Sequence, residues 1–170
     1  MGDPEVDQQR YMQVIENKTA KLFEASCRLA AIISGQPEKT ESALAVYGNC
    51  LGSAFQIADD VLDVVGDELE TGKSLGTDLE KRKPTLPLIR LLSLVDDAER
   101  LEITQHLDSD SQTLSSELFE RFQRFGTISY AREVAERYAA QARAALDGLR
   151  GSPALDALLQ ITDFVVHRSA

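Results

Sequence analysis

The chain has 170 residues, enough for one domain with a real core, and 43% hydrophobic residues place it in the globular class. Its 18 Lys and Arg against 28 Asp and Glu give a net charge of −10, which argues against a nucleic-acid partner, since such partners need a basic footprint. No apolar run approaches the ~18 residues of a membrane span, and Met1-Gly2-Asp3-Pro4-Glu5 is too polar and acidic for a signal peptide.

In chain order, residues 4 to 34 read as one long helix. Tyr11, Val14, Lys18, Leu22, Ala25, Leu29 and Ile32 form its stripe at helical steps, with Lys18 as the one cation among apolar residues. A lysine in such a place ordinarily snorkels its amine to the edge. Gly35-Gln36-Pro37 stops this helix. A second helix runs from about Thr40 to Val65 and ends at Gly66. Residues 66 to 87 hold three glycines and two prolines and read as a long loop with at most a short helical turn. Loops of that length in a compact domain are functional or disordered more often than incidental, although a solvated surface loop fits the composition equally well.

Beyond the loop the pattern is helical again. Leu86 to Val95 is short and apolar, and Asp96 to Leu107 is polar and reads as exposed. Ser115 to Phe125 places Leu118, Phe119, Phe122 and Phe125 on one side, before the break at Gly126. Thr127 to Leu149 repeats Ile128, Ala131, Ala135, Tyr138, Ala142, Ala145 and Leu149, an alanine-rich face suited to close helix packing. Ser152 caps a last helix over 153 to 167 that starts on Pro153 and buries Leu155, Leu158, Leu159, Ile161, Phe164 and Val165. No strand-like alternation and no internal repeat occur, so the fold class is all-α, a single helical domain over residues 1–170.

The chemistry concentrates in Phe55-Gln56-Ile57-Ala58-Asp59-Asp60-Val61-Leu62-Asp63. A helix turns about 100° per residue, so Asp59 and Asp63 share a side and Gln56 lies one turn earlier. Apolar residues cover the remaining faces, which marks a buried helix. Buried carboxylates need a cation or a wet cavity. Mg²⁺ takes one or two carboxylates plus waters and substrate phosphates, and this spacing suits it. A Ca²⁺ loop of the EF-hand order is absent, and carboxylates on adjacent turns sit too close to flank a substrate as an acid–base pair. His106 and His167 have no ligand-spaced neighbours, so zinc is not expected. Cys27 and Cys50 fall in apolar helical settings, the pattern of two buried thiols in a reduced, cytoplasmic protein. A diphosphate substrate explains the set economically: Asp59, Asp60 and Asp63 would hold Mg²⁺ on one side, while Lys18, Lys73 and Lys83 supply ammonium donors from others.

Four motifs come in fixed order: Lys18-Thr19 in a long helix, the aspartate stretch 55–63, Gly72-Lys73-Ser74-Leu75-Gly76-Thr77-Asp78-Leu79, and Lys83-Pro84-Thr85-Leu86-Pro87. In that order and spacing the chain resembles the C-terminal half of the trans-isoprenyl (polyprenyl) diphosphate synthases along nearly its whole length. The resemblance implies an all-α bundle around a deep cavity, the terpenoid synthase fold. It implies Mg²⁺-dependent condensation of an allylic diphosphate with isopentenyl diphosphate. It also makes Asp59, Asp60 and Asp63 the second aspartate-rich motif and metal site, with Asp59 and Asp63 its foremost metal ligands. Lys18, Thr19, Gln56 and Lys73 become contacts of the allylic diphosphate, Lys83 a further lysine near that site, and Asp78 a supporting residue or a cap.

Two departures accompany the resemblance. Arg82 stands where many members carry Gly. Nothing before Tyr11 resembles the family's first aspartate-rich motif. The chain by itself is therefore expected to be inactive, and to form a homo-oligomer or to associate with a missing N-terminal half through uncovered apolar faces. The alternative is a non-catalytic partner or regulatory subunit of a complete prenyl diphosphate synthase. A terpene cyclase is disfavoured, because the Asn/Asp, Ser/Thr and Glu metal motif of that class is not found.

Overall fold

The computed structural model describes residues 6–65, 83–108 and 114–167. Among these the protein is all-α, as the periodicity predicts. The elements are α1 (Gln8–Ile15), a π-helical turn (Glu16–Ala20), α2 (Lys21–Ile33), α3 (Glu38–Val65), α4 (Leu86–Leu94), α5 (Asp97–Asp108), α6 (Leu114–Arg124), α7 (Thr127–Ala145) and α8 (Pro153–His167). Most of the 66–87 segment, with Lys73, Asp78 and Arg82, lies outside the described residues. No described helix is long and apolar enough to cross a membrane.

Sequence punctuation sets the helix ends. At the end of α2, Gly35 takes φ +64°. The Gln36 and Gly35 amides donate to the Ala31 and Ile32 carbonyls, both at 3.0 Å, which is the Schellman arrangement, and Pro37 then forbids continuation. At α8 the Leu155 amide donates to Ser152 Oγ at 3.2 Å, with Pro153 in the first helical position, as expected of an N-cap followed by proline.

The long first helix departs from expectation in its register. The Lys21 amide donates to the Glu16 carbonyl, five residues back, so one extra residue enters the turn. The inward line then runs Tyr11, Ile15, Ala20, Phe23, Cys27, Ala31, with a five-residue step across the π turn. The stripe predicted at regular steps fails beyond Tyr11. Val14, Lys18, Leu22, Ala25, Leu29 and Ile32 are exposed, Leu22 by 69%. Lys18 is thus not on an inward face. In α8, Ile161 and Phe164 are exposed as well, and Thr162 takes the buried position instead.

The chain sorts into two compact units. One is Met1–Tyr11 with Asp59–Arg132 and Ser169–Ala170, the other Met12–Ala58 with Glu133–Arg168. In the first, α4 packs against α6, and Leu86, Leu91, Ile103, Leu118 and Phe122 are buried. In the second, Tyr47, Leu51, Ala54, Ala139, Ala142, Leu146 and Val165 form the core, flanked by Phe23 and Phe55. The Tyr47 hydroxyl donates to the Leu158 carbonyl at 2.9 Å, and Thr162 Oγ1 donates to the same carbonyl at 2.9 Å. Burial pushes the Tyr47 phenol up from its ordinary range, which keeps it a donor at neutral pH.

Two close approaches govern that second unit. A Cβ on Gly48 would stand 2.5 Å from the Phe23 carbonyl oxygen, and one on Gly52 would stand 2.7 Å from the Ala20 Cα. Both obstacles are backbone, so neither can swing aside. Gly48→Ala and Gly52→Ala are each expected to destabilise by about 1–3 kcal/mol, the usual range for overpacking. Gly151→Ala, where nothing lies within 4 Å, should change stability by less than about 0.5 kcal/mol. Urea unfolding of the three variants checks this, and equal stabilities would refute it.

Thr85 offers a second measurement. It is the fully buried N-cap of α4, yet its hydroxyl makes no cap bond and has no hydrogen-bond partner. An unsatisfied buried hydroxyl costs about 1–3 kcal/mol. Thr85→Val, nearly isosteric, is expected to raise stability by roughly 1 kcal/mol. A loss of stability in the same urea experiment would mean that the hydroxyl is satisfied in solution.

Candidate active site

The aspartates of α3 do not face one way. Asp59 and Asp63, one turn apart, are both partly exposed. Asp60 follows Asp59 by about 100° around the helix and is 0% exposed. Its two oxygens accept from two different segments. The Tyr11 hydroxyl donates to Oδ2 at 2.8 Å, and the Lys83 ammonium donates to Oδ1 at 2.9 Å. Lys83 sits in the extended stretch just before α4, and Tyr11 is buried in α1. The structure therefore brings two of the sequence-predicted residues, Asp60 and Lys83, into direct contact. Sequence reasoning missed Tyr11, which read only as a member of an apolar stripe. A tyrosine on such a stripe carries no mark of a partner 49 residues away.

In the other unit, Thr19 and Gln56 also meet. Thr19 Oγ1 donates to Gln56 Oε1 at 2.9 Å, so the hydroxyl is turned to a second helix rather than back onto its own. Gln56 is buried, and Lys18 beside Thr19 is exposed within the π turn. Asn49 Nδ2 donates to Glu24 Oε2 at 2.9 Å along the same pair of helices. Hydrogen bonds from Lys21 and then Asn49 hold the Glu24 carboxyl below its ordinary range. Cys27 and Cys50 are free thiols, and burial pushes both up. They stay protonated at neutral pH and offer no thiolate nucleophile.

The donor set suits Mg²⁺. Among the described residues no group of three His, Cys, Asp or Glu converges on a point, so a closed all-protein cage of the structural-metal kind is not formed. Mg²⁺ asks for less, one or two carboxylates with waters and substrate phosphates completing the octahedron. Asp59 and Asp63, on one side of one helix and partly open, match that requirement. Lys73 lies outside the described residues. A cavity of about 770 Å³, bordered by Val6, Arg90, Arg100 and Leu101 among others, has none of the sequence-predicted residues on its wall.

Comparison with known proteins gives one consistent answer. The polyprenyl synthetase family profile matches residues 1–121. A short chain isoprenyl diphosphate synthase of Methanothermobacter thermautotrophicus is 38% identical over 96% of this chain and 50% of its own length. The octaprenyl diphosphate synthase of Escherichia coli is 34% identical over 99% of this chain and 52% of its own. Among solved structures, a geranylgeranyl pyrophosphate synthetase from Pyrococcus horikoshii superposes with a TM-score of 0.91 at 34% identity, covering 98% of this chain and 51% of that one. A polyprenyl synthase from Caulobacter crescentus, complexed with calcium and isoprenyl diphosphate, superposes with a TM-score of 0.90 at 33% identity, over 99% of this chain and 52% of that one. The chain spans about half the length of the curated relatives it matches. With the family profile matched over residues 1–121 and relatives above 30% identity along nearly its whole length, the chain belongs to the polyprenyl synthetase family.

Proposed function

We propose that this chain supplies one wall of a prenyltransferase site, in which isopentenyl diphosphate is condensed with an allylic diphosphate. The observation that carries the reading is the pair Asp59 and Asp63, one turn apart and both partly open, with the buried Gln56, Ile57 and Asp60 beside them on α3. Asp59 and Asp63 would hold Mg²⁺, which neutralises the diphosphate of the allylic substrate and so makes it a better leaving group. Lys18, Thr19, Gln56, Lys73 and Lys83 would bind and orient that diphosphate. An ammonium beside it is worth more once the leaving oxygen gains charge, so the lysines stabilise the transition state more than the ground state. Gln56 is held by Thr19, which fixes its amide for contact with the diphosphate. The allylic C–O bond breaks and its electron pair leaves with diphosphate. The isopentenyl double bond attacks the allylic cation, and a proton is lost from the new chain. The Caulobacter protein is complexed with calcium and isoprenyl diphosphate, which supports a divalent cation and a diphosphate as the ligands of such a site. A cytoplasmic setting fits the unpaired, protonated thiols.

Only one aspartate-rich motif is present in residues 1–170. We expect these residues alone to bind Mg²⁺–diphosphate weakly and to turn over little allylic substrate. Calorimetry with inorganic diphosphate should show binding only when Mg²⁺ is present, and Asp63→Asn should weaken it about tenfold or more, the loss typical of one charge-assisted contact. Binding that ignores Mg²⁺ would overturn the metal assignment. Robust turnover of an allylic diphosphate with isopentenyl diphosphate would overturn the expected inactivity.

One surface favours association with a second polypeptide, whether another copy, the other half of the fold, or a complete synthase that this chain regulates. Along α2, Leu22, Leu29, Ile32 and Ile33 are exposed, Ile33 by 84%. A contiguous apolar helix face of this kind ordinarily marks an interface. Size-exclusion chromatography with light scattering is expected to give a mass above the 18.7 kDa of one chain. The double change Leu29→Glu and Ile33→Glu should return it to a monomer. A clean monomer for the unaltered chain would refute the association.

A further inference from the structure

The three aspartates of α3 differ too much in their surroundings to share one role. Asp60 has no accessible surface, and each of its carboxylate oxygens already accepts a hydrogen bond, one from Tyr11 and one from Lys83. Mg²⁺ carries waters and demands open octahedral geometry, so a carboxylate that is enclosed on all sides is a poor ligand for it. A fully buried charge persists only when paired and hydrogen-bonded, and both conditions are met within this unit. Lys83 answers the charge, and the neutral Tyr11 hydroxyl answers the second oxygen.

We propose that Asp60 and Tyr11 are positioning residues that fix the Lys83 ammonium for the diphosphate, and that Asp60 does not bind the metal. The inference rests on the diphosphate reading above and assigns these two residues within it. Geometry supports the arrangement at Lys83 itself. Its side chain is 33% exposed, and its ammonium, which has three donor hydrogens, directs one of them at Asp60 Oδ1. The stem is constrained as well, because Lys83 precedes Pro84 and is confined to extended backbone. The Tyr11 hydroxyl holds the far oxygen of the same carboxylate at 2.8 Å and so prevents Asp60 from rotating away from Lys83. Tyr11 thereby acts on the diphosphate through two contacts, its own with Asp60 and that of Asp60 with Lys83.

The test is a double-mutant cycle in the affinity of the chain for inorganic diphosphate at saturating Mg²⁺, read by calorimetry, with thermal unfolding measured alongside. Tyr11→Phe, which keeps the ring, should weaken diphosphate binding about threefold or more, as a lost hydrogen bond to a charged group does. Lys83→Gln should weaken it further. The double variant should bind no worse than Lys83→Gln alone, since Tyr11 has nothing left to position. Asp60→Asn should lower diphosphate affinity while leaving the Mg²⁺ concentration at half effect unchanged, in contrast to Asp63→Asn, which should raise it.

A merely structural Tyr11 would lower the unfolding temperature without moving the affinity, or would add to Lys83→Gln in full. Either outcome overturns the inference. So does a rise in the Mg²⁺ requirement of Asp60→Asn, which would return Asp60 to the metal. If the unaltered chain binds no diphosphate at any Mg²⁺ concentration, the diphosphate reading fails and this assignment with it. That result is distinct from binding that is intact and indifferent to Tyr11.

Discussion

A carboxylate with no exposed surface sets the terms for the unit that contains it. An ionised Asp60 in a dry interior would cost several kcal/mol if left alone, so the chain must deliver donors to both oxygens at once. Tyr11 comes from 49 residues upstream and Lys83 from 23 residues downstream. α1, the end of α3 and the approach to α4 therefore have to meet at one point. The stretch around Lys83 is built to arrive there. Pro84 restricts the residue before it to extended backbone, and Pro87 stands in the first turn of α4, where its missing amide hydrogen is not needed. Leu86, Pro87, Leu88 and Ile89 are buried immediately afterwards, which sinks the start of α4 into the core and leaves little slack in the segment that carries the lysine.

The other unit relies on small residues and short polar groups rather than on a fully buried ion pair. Gly48 and Gly52 remove two side chains from α3, so the backbone of the π turn and of α2 can lie against it at distances that a methyl group would not allow. At that closeness short polar groups meet directly, Thr19 with Gln56 and Asn49 with Glu24. The phenyl rings of Phe23 and Phe55 fill the space beside them, with centroids 5.8 Å apart, inside the range where aromatic pairs attract. Alanines do for α7 what glycines do for α3. Ala139 and Ala142 are fully buried beside Tyr47 and Leu51, and small residues there let whole helices approach.

What the sequence revealed and what it hid follow from the range of the interactions involved. Helix ends rest on contacts within a few residues, so Gly35, Ser152 and Pro153 could be read directly, and the structure agrees at each. The buried character of α3 was also legible, because its apolar residues cover nearly every face. The register of the first helix was not. A regular period of 3.6 put Lys18, Leu22 and Leu29 on the inner face, and a single extra residue in the turn Glu16–Ala20 rotates everything after it. No residue type marks a π turn, and here the close approach of Ala20 to Gly52, a contact of distant segments, accompanies it. Ile161 and Phe164 were misread for a related reason. Their spacing is helical and apolar, but the buried line of α8 runs through Thr162 and Val165, and a threonine that bonds its own helix and Tyr47 is welcome in a core that hydropathy alone assigns to Phe.

The candidate site divides along the same line. Motif order named Thr19, Gln56, Asp59, Asp60, Asp63 and Lys83, and the structure joins four of them in two pairs, Thr19 with Gln56 and Lys83 with Asp60. The sequence puts Asp59 and Asp63 on one side of the helix with Asp60 flanking them, and motif resemblance assigns all three to one metal site. A helix separates neighbours by about 100°, and that rotation is enough to send Asp60 into the interior while Asp59 and Asp63 stay at the surface. Burial then decides what each carboxylate can do. The pair at the surface is the one proposed to meet a cation, while the enclosed one accepts from Tyr11 and Lys83. Adjacent acidic residues on one helix are for this reason better read by the environment of each than by their shared charge.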